Sequence, residues 1–130
     1  MKFRLLTPDK ALVDCDNVTA VSAMSSENGS LGILQGHVPL VTPVAISTLS
    51  YTQNNQVTSV AIMGGLLTTD GQTVTVLCQS AELSGDIDKA RAEAARQRAE
   101  ARLKTRDDGT DVKRAQLALN RALTRLTAVK

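Results

Sequence analysis

Thr73-Val74-Thr75-Val76-Leu77-Cys78-Gln79-Ser80-Ala81-Glu82-Leu83-Ser84-Gly85-Asp86-Ile87-Asp88-Lys89-Ala90-Arg91-Ala92-Glu93-Ala94-Ala95-Arg96 is where this chain changes character. Up to Cys78 apolar residues alternate with threonine, the period of a strand that buries one face. Ala90 to Lys104 holds no Gly, Pro or β-branched residue, which predicts a helix. Ser84-Gly85-Asp86 offers capping side chains just before Ile87, and Asp86 and Asp88 suit the positive end of a helix. Charge turns over at the same place. Residues 1–80 carry 3 Lys/Arg against 5 Asp/Glu, a net of −2, whereas residues 81–130 carry 12 against 8, a net of +4. Two architectures are joined in one chain.

Working back from the switch, short apolar runs are broken by turn residues. Lys2–Thr7 ends at Pro8-Asp9-Lys10, a tight turn because proline presets φ. Ala11–Val13 follows, then Asn17–Met24 with Val18 and Ala20 set against Thr19 and Val21. Ser25–Ser30 is a polar loop. Leu31–Leu34 is a short apolar run, and Gln35–Leu40 leads away from it. Val44–Tyr51 and Val57–Met63 are separated by the spacer Thr52–Gln56. Gly64-Gly65 interrupts, and Leu66–Thr69 and Thr73–Cys78 form a hairpin on Asp70-Gly71. About eight short strands at this spacing predict an antiparallel sandwich or barrel. Phe3 and Tyr51 are the aromatic residues, so the core is built from Val, Leu, Ile, Ala and Met. A unit of this size buries only roughly 60% of its unfolded surface, which leaves a thin margin of stability.

Working forward, Arg106–Thr110 is a break, and Asp111 begins a second helix to about Thr127. Val112, Ala115, Leu119, Ala122, Leu126 and Val129 follow the 3-4 spacing of a helix packed on a helix. The first helix offers Ala92, Ala95 and Ala99, with Leu103. So short a link implies an antiparallel hairpin. An alanine seam buries little area, about 25 cal/mol per Å² of it, so the hairpin reads either as detachable or as packed on the sandwich.

The residues exclude several chemistries. One histidine (His37) and two distant cysteines (Cys15 and Cys78) assemble neither a catalytic triad nor a zinc site, and no metal is expected. Both cysteines lie in strand-like runs and read as reduced, buried thiols. No phosphate-binding Gly-x-x-x-x-Gly-Lys-Ser/Thr or Gly-x-Gly-x-x-Gly loop occurs. The chain does not read as an enzyme. No apolar run approaches the roughly 18 residues of a membrane span. The expectation is a soluble chain of a reducing compartment that meets a membrane only through partners.

Two basic features remain. His37 in its loop is either a partner contact or a turn histidine satisfied by the backbone. Asp88 and Arg91 stand one turn apart, Arg98 lies seven residues beyond, and Arg121 and Arg125 are four apart on the second helix. Folding the hairpin about its link brings the four guanidinium groups together. Such planar donors suit polyphosphate, and a solvated charged face is the alternative. From Asp111 to Lys130 there are five basic residues against one acid, fit for an acidic protein surface or for phosphates. Without aromatic stacking residues, single-stranded nucleic acid fits poorly.

Taken in order, Leu6-Thr7-Pro8-Asp9, Gly29-Ser30-Leu31-Gly32-Ile33-Leu34-Gln35-Gly36-His37-Val38-Pro39-Leu40, Ile62-Met63-Gly64-Gly65, Val74-Thr75-Val76-Leu77 and Ile87-Asp88-x-x-Arg91-Ala92 resemble the epsilon subunit of rotary (F-type) ATP synthases. Gln35, Ser30 and Leu66 depart from the common forms. The resemblance implies a two-part α+β chain: an N-terminal antiparallel β-sandwich or barrel of about ten strands (residues 1–82) and a C-terminal α-helical hairpin (residues 83–130). It further implies a non-catalytic rotor subunit on the membrane periphery, with the gamma subunit, the c-ring and the alpha/beta subunits of the catalytic head as partners. Glu27, Asn28, Gly29 and Ser30 match the ring-facing loop, and His37, Val38, Pro39, Leu40 and Thr42 the gamma-facing stretch. Lys113, Arg114, Arg121 and Arg125 match a basic helix that restrains ATP hydrolysis. Glu82, Ile87, Asp88, Arg91, Ala92, Arg98, Arg121 and Arg125 match positions at which some relatives hold ATP as a regulatory ligand, no cofactor being required. The residues alone leave a second reading open, a small adaptor or nucleic-acid-binding module with a basic hairpin.

Overall fold

The computed structural model describes residues 1–27, 29–105 and 111–129. The expected 106–110 break therefore lies outside the described residues, as does Asn28. Eight strands come first: β1 (Lys2–Leu6), β2 (Ala11–Cys15), β3 (Val18–Ser25), β4 (Gly29–Leu34), β5 (Leu40–Gln53), β6 (Gln56–Thr69), β7 (Thr73–Cys78) and β8 (Ala81–Leu83). A 3-10 turn over Ser84–Asp86 leads to helices α1 (Lys89–Thr105) and α2 (Val112–Ala128). The chain is an α+β protein: a sandwich followed by a helical hairpin.

The strands form one continuous sheet, ordered β2-β1-β7-β6-β5-β3-β4, with β8 also on β6. Two expectations need correction. Among the described residues the strands number eight rather than about ten, because β5 and β6 each run 14 residues. Gly64 and Gly65, at φ +83° and +156°, bend β6 without ending it. On one side of this bend Val60–Ile62 pairs with β8, and on the other Gly65–Thr69 pairs with β7. The sheet so folds over itself to make both layers. Nor is it purely antiparallel, since β1 runs parallel to β7.

Local chemistry explains the ladders. The spacer between β5 and β6 shrinks to a two-residue turn, Asn54-Asn55, both at positive φ, with Gln53 opposite Gln56. Asparagine tolerates that region, and the turn's twist matches the strands. In β3 the pairing shifts between Val18 and Ala20, so the alternation changes phase. Val18 and Val21 are buried and Ala20 only half-buried, not the single Val18/Ala20 face that strict alternation requires. Phe3, Leu5, Val21, Leu49, Ile62 and Val76 centre the core. The Phe3 and Tyr51 rings meet at 5.0 Å, so both aromatic residues of the chain serve one contact. Cys78 is buried and Cys15 half-buried, both unbridged. Burial pushes both thiols up, aided at Cys15 by Asp14 and Asp16.

α2 lies on β5 and β6, and α1 packs on α2. The seam is alanine on both sides: Ala92 and Ala99 meet Ala115 and Ala122, each at most 3% exposed. Leu119, Leu126 and Val129 of the expected stripe are half-buried, while Val112 is exposed. Toward the sheet α2 turns Thr124 and Ala128, which are also buried.

Candidate functional site

Where β8 runs into α1, the chain makes a cleft of about 400 Å³ lined by Glu82, Asp86, Asp88, Arg91, Ala92, Ala95, Arg98 and Arg125. That is within the roughly 300–1,000 Å³ usual for small-molecule sites. Glu82 comes from β8, Asp86 from the 3-10 turn, Arg91 and Arg98 from one face of α1, and Arg125 from the last turn of α2. Helical spacing places Arg91 and Arg98 two turns apart on the same side. Packing α2 antiparallel on α1 brings Arg125 back to that end.

Asp88 explains why α1 starts where it does. Its carboxylate accepts from the Arg91 amide at 3.1 Å, and its carbonyl accepts from the Ala92 amide at 3.0 Å. The cap is thus Asp88, not Ser84-Gly85-Asp86, whose residues form the 3-10 turn instead. Asp88→Ala should cost about 1 kcal/mol of helix stability. The check is faster amide exchange over the first turn of α1; unchanged exchange there would exclude capping by Asp88.

Three carboxylates and three guanidinium groups line the cleft, but they are not equally engaged. Arg125 Nε donates to Glu82 Oε1 at 2.7 Å, with both side chains about 30% exposed. The guanidinium groups of Arg91 and Arg98 have no ion pair among the described residues, and so face the cleft with their donors available. Beside the cleft, Arg96 donates to Glu93 and Glu100, which holds the Glu93 carboxyl below its ordinary range. Of the sequence-matched positions, Glu82, Asp88, Arg91, Ala92, Arg98 and Arg125 line the cleft. Ile87 and Arg121 do not. Asp86 and Ala95 do, and sequence reasoning missed both. Asp86 had been given to capping, and Ala95, four residues before Ala99, to the seam.

The other candidate positions fall on the sandwich and on α2. Glu27, Gly29 and Ser30 are exposed at the β3–β4 connection. The His37 loop is fixed to the β6–β7 turn, where the Gly36 amide donates to the Gly71 carbonyl at 2.8 Å. A Cβ on Gly71 would stand 2.9 Å from the His37 carbonyl, so glycine permits this approach. His37 Nδ1 lies 2.7 Å from the Val38 carbonyl, so one ring nitrogen has a backbone partner. Val38 is 71% exposed. Thr42, grouped with these residues, is instead inside the sandwich, its hydroxyl 2.8 Å from that of Ser25. Lys113, Arg114 and Arg121 are exposed on α2. Sequence reasoning missed a further surface. Cross-strand register aligns Pro43, Leu66, Leu77 and Leu6 on the outer face of the sheet, beside Val41, Thr68, Thr75 and Arg4. Val41, Leu66 and Leu77 are exposed there. Outward apolar positions in β5, β6 and β7 were its only signal.

Among the described residues no group of His, Cys, Asp and Glu could hold a metal ion, and no helix is long and apolar enough to cross a membrane.

Comparison with known proteins finds matches to both the sandwich and the hairpin. The beta-sandwich domain model of the ATP synthase delta/epsilon chain matches residues 1–84, and the long alpha-helix domain model of the same chain matches residues 86–130. An ATP synthase epsilon chain of Bacillus velezensis is 44% identical over 97% of this chain and 94% of its own length. One of Bacillus licheniformis is 42% identical over 100% of this chain and 98% of its own. Among solved structures, a chain of the Euglena gracilis mitochondrial ATP synthase shares the fold at a TM-score of 0.84 and 22% identity, covering 98% of this chain and 80% of that one.

Proposed function

The chain belongs to the ATP synthase delta/epsilon family, and from that premise we propose that it is the epsilon subunit of a rotary ATP synthase. It is a non-catalytic part of the central stalk that joins the gamma subunit to the c-ring and restrains ATP hydrolysis. The observation that carries this reading is the pairing of two units in one chain, each matching its own domain model. The sandwich holds gamma through exposed Val38 and Pro39, with half-buried Leu40 beside them, and through the neighbouring exposed apolar surface of Val41, Leu66 and Leu77. Glu27, Gly29 and Ser30 reach the polar loops of the ring. The membrane is met at its periphery, through the complex, on the face that carries the catalytic head.

The hairpin is the regulatory part. Extended along gamma, α2 presents Lys113, Arg114, Arg121 and Arg125 to acidic surface of the head and slows hydrolysis. Folded against the sandwich, as in the structure, it leaves the head free. ATP in the cleft favours the folded form, with Arg91 and Arg98 donating to its phosphates.

Two experiments test this. Mixing the chain with gamma should give a complex stable to gel filtration, and failure to associate would sink the stalk reading. Removing residues 83–130 should leave that complex intact while raising ATP hydrolysis by the assembled head. Hydrolysis unchanged by the truncation would remove the braking role and spare the stalk role.

A further inference from the structure

The folded hairpin is attached to the sandwich mainly through small side chains and a few polar contacts. Its buried contributions toward the sheet are a threonine and an alanine, Thr124 and Ala128, while the larger Leu117 and Leu123 of α2 stay 37% and 43% exposed. Apolar burial scales with area, so small side chains give this docking a small hydrophobic component. Besides this packing, two side-chain hydrogen bonds join α2 to the strands among the described residues. Thr48 Oγ1 donates to the Thr124 carbonyl at 3.3 Å, and Arg125 donates to Glu82 at 2.7 Å. The first is a long, neutral bond. The second is charge-assisted and half-buried, and it closes a special loop. Glu82 sits at the root of the hairpin, on β8, and Arg125 sits 43 residues later in the last turn of α2. It therefore ties the far end of the hairpin to its own root, and α2 cannot leave the sheet without breaking it.

Resting on the mobile-hairpin reading above, we infer that the Glu82–Arg125 pair is a clasp that holds the hairpin folded with no ligand present. The clasp has a second consequence. It occupies one of the four cations assigned to the braking face, so folding both moves α2 away from the head and withdraws Arg125. Nucleotide and clasp then act separately on one equilibrium: the clasp sets the resting population, and a ligand on Arg91 and Arg98 shifts it further.

Amide hydrogen exchange of the full chain without nucleotide tests this, read over α2 with Leu67 and Val76 as sandwich reference. Glu82→Gln and Arg125→Gln should each speed α2 exchange roughly tenfold, the low end for a charge-assisted bond discounted for its part exposure, with the reference unchanged. The swap of Glu82→Arg with Arg125→Glu should return α2 to within about threefold of the parent, because only the pair is restored. Parent-like exchange in both single variants, failure of the swap to restore, or equal acceleration of α2 and the reference would each overturn the clasp. A second arm separates it from the nucleotide reading. If millimolar ATP protects α2 in no protein while the single variants still open, the clasp stands and the ATP site falls. If ATP protects the parent while Glu82→Gln matches the parent without ATP, the reverse holds.

Discussion

Gly65→Ala is expected to collapse the sandwich, at a cost of roughly 4 kcal/mol or more, among the largest single-site effects. A Cβ at this position would stand 2.2 Å from the Leu77 carbonyl oxygen and 3.0 Å from Cys78 Cα, both backbone atoms of the paired strand. Neither can rotate aside as a side-chain end would. β6 must then withdraw from β7, which dissolves the pairing of Gly65–Thr69 with Val74–Cys78. That ladder carries Leu67, Val74 and Val76, all fully buried. A small domain's whole stability is about 5–15 kcal/mol, so little is left. Gly64→Ala is the internal comparison. Its Cβ would meet only the Val44 carbonyl at 3.6 Å, an ordinary contact, and the strain at φ +83° should cost about 1–2 kcal/mol. Urea unfolding of the three proteins decides it, and equal midpoints for the two alanine variants would show that close packing on β7 is not what Gly65 provides.

The same glycine pair marks where sequence reading stopped. Alternation in Thr73–Cys78 and helix-forming residues from Ala90 onward are local signals, so β7, α1 and α2 were legible to within a residue or two. Gly64-Gly65 was visible as an interruption, yet whether a strand ends or bends there depends on its neighbours. β8 and β7 hold the two halves of β6 in pairing, which no local pattern encodes. The bulge in β3 belongs to the same class, for only the register against β5 reveals that Val21 faces inward. The parallel contact of β1 with β7 joins residues some 70 positions apart and leaves no trace in either strand's period.

In the cleft, legibility followed helical geometry. Arg91 and Arg98 share a face by spacing alone, and the antiparallel fold returned Arg125 to them, as expected. Arg121, one turn before Arg125, is exposed and does not line the cleft. Glu82 was named by resemblance only, since nothing in the sequence around β8 foretells an ion pair with residue 125. Asp86 was hidden by a plausible capping role that Asp88 performs.

Joint substitution Arg91→Ala, Arg98→Ala should lower the affinity of the full chain for ATP more than a hundredfold. Each guanidinium offers charge-assisted hydrogen bonds, worth about 1.5–3 kcal/mol apiece when made to phosphate, and 1.4 kcal/mol is a factor of ten. Both side chains are free to make them, whereas Arg125 must first give up Glu82. Alanine is the best helix former, so loss of binding cannot be laid to an unwound α1. The Asp88 cap uses the Arg91 backbone amide, which the substitution leaves in place. Titration calorimetry of parent and variant gives the comparison, with Lys113→Ala as a control that removes one exposed cation remote from the cleft. Exposed charges are screened, and Arg91 and Arg98 are exposed as Lys113 is. In about 0.5 M salt the control's small loss should therefore vanish, while the double variant's larger loss shrinks but persists, because direct hydrogen bonds to phosphate go with it. An equal loss in control and double variant would mean that ATP responds only to the chain's net charge. No heat from the parent at millimolar ATP would leave the cleft without this ligand, and the hairpin would then be held by protein contacts alone.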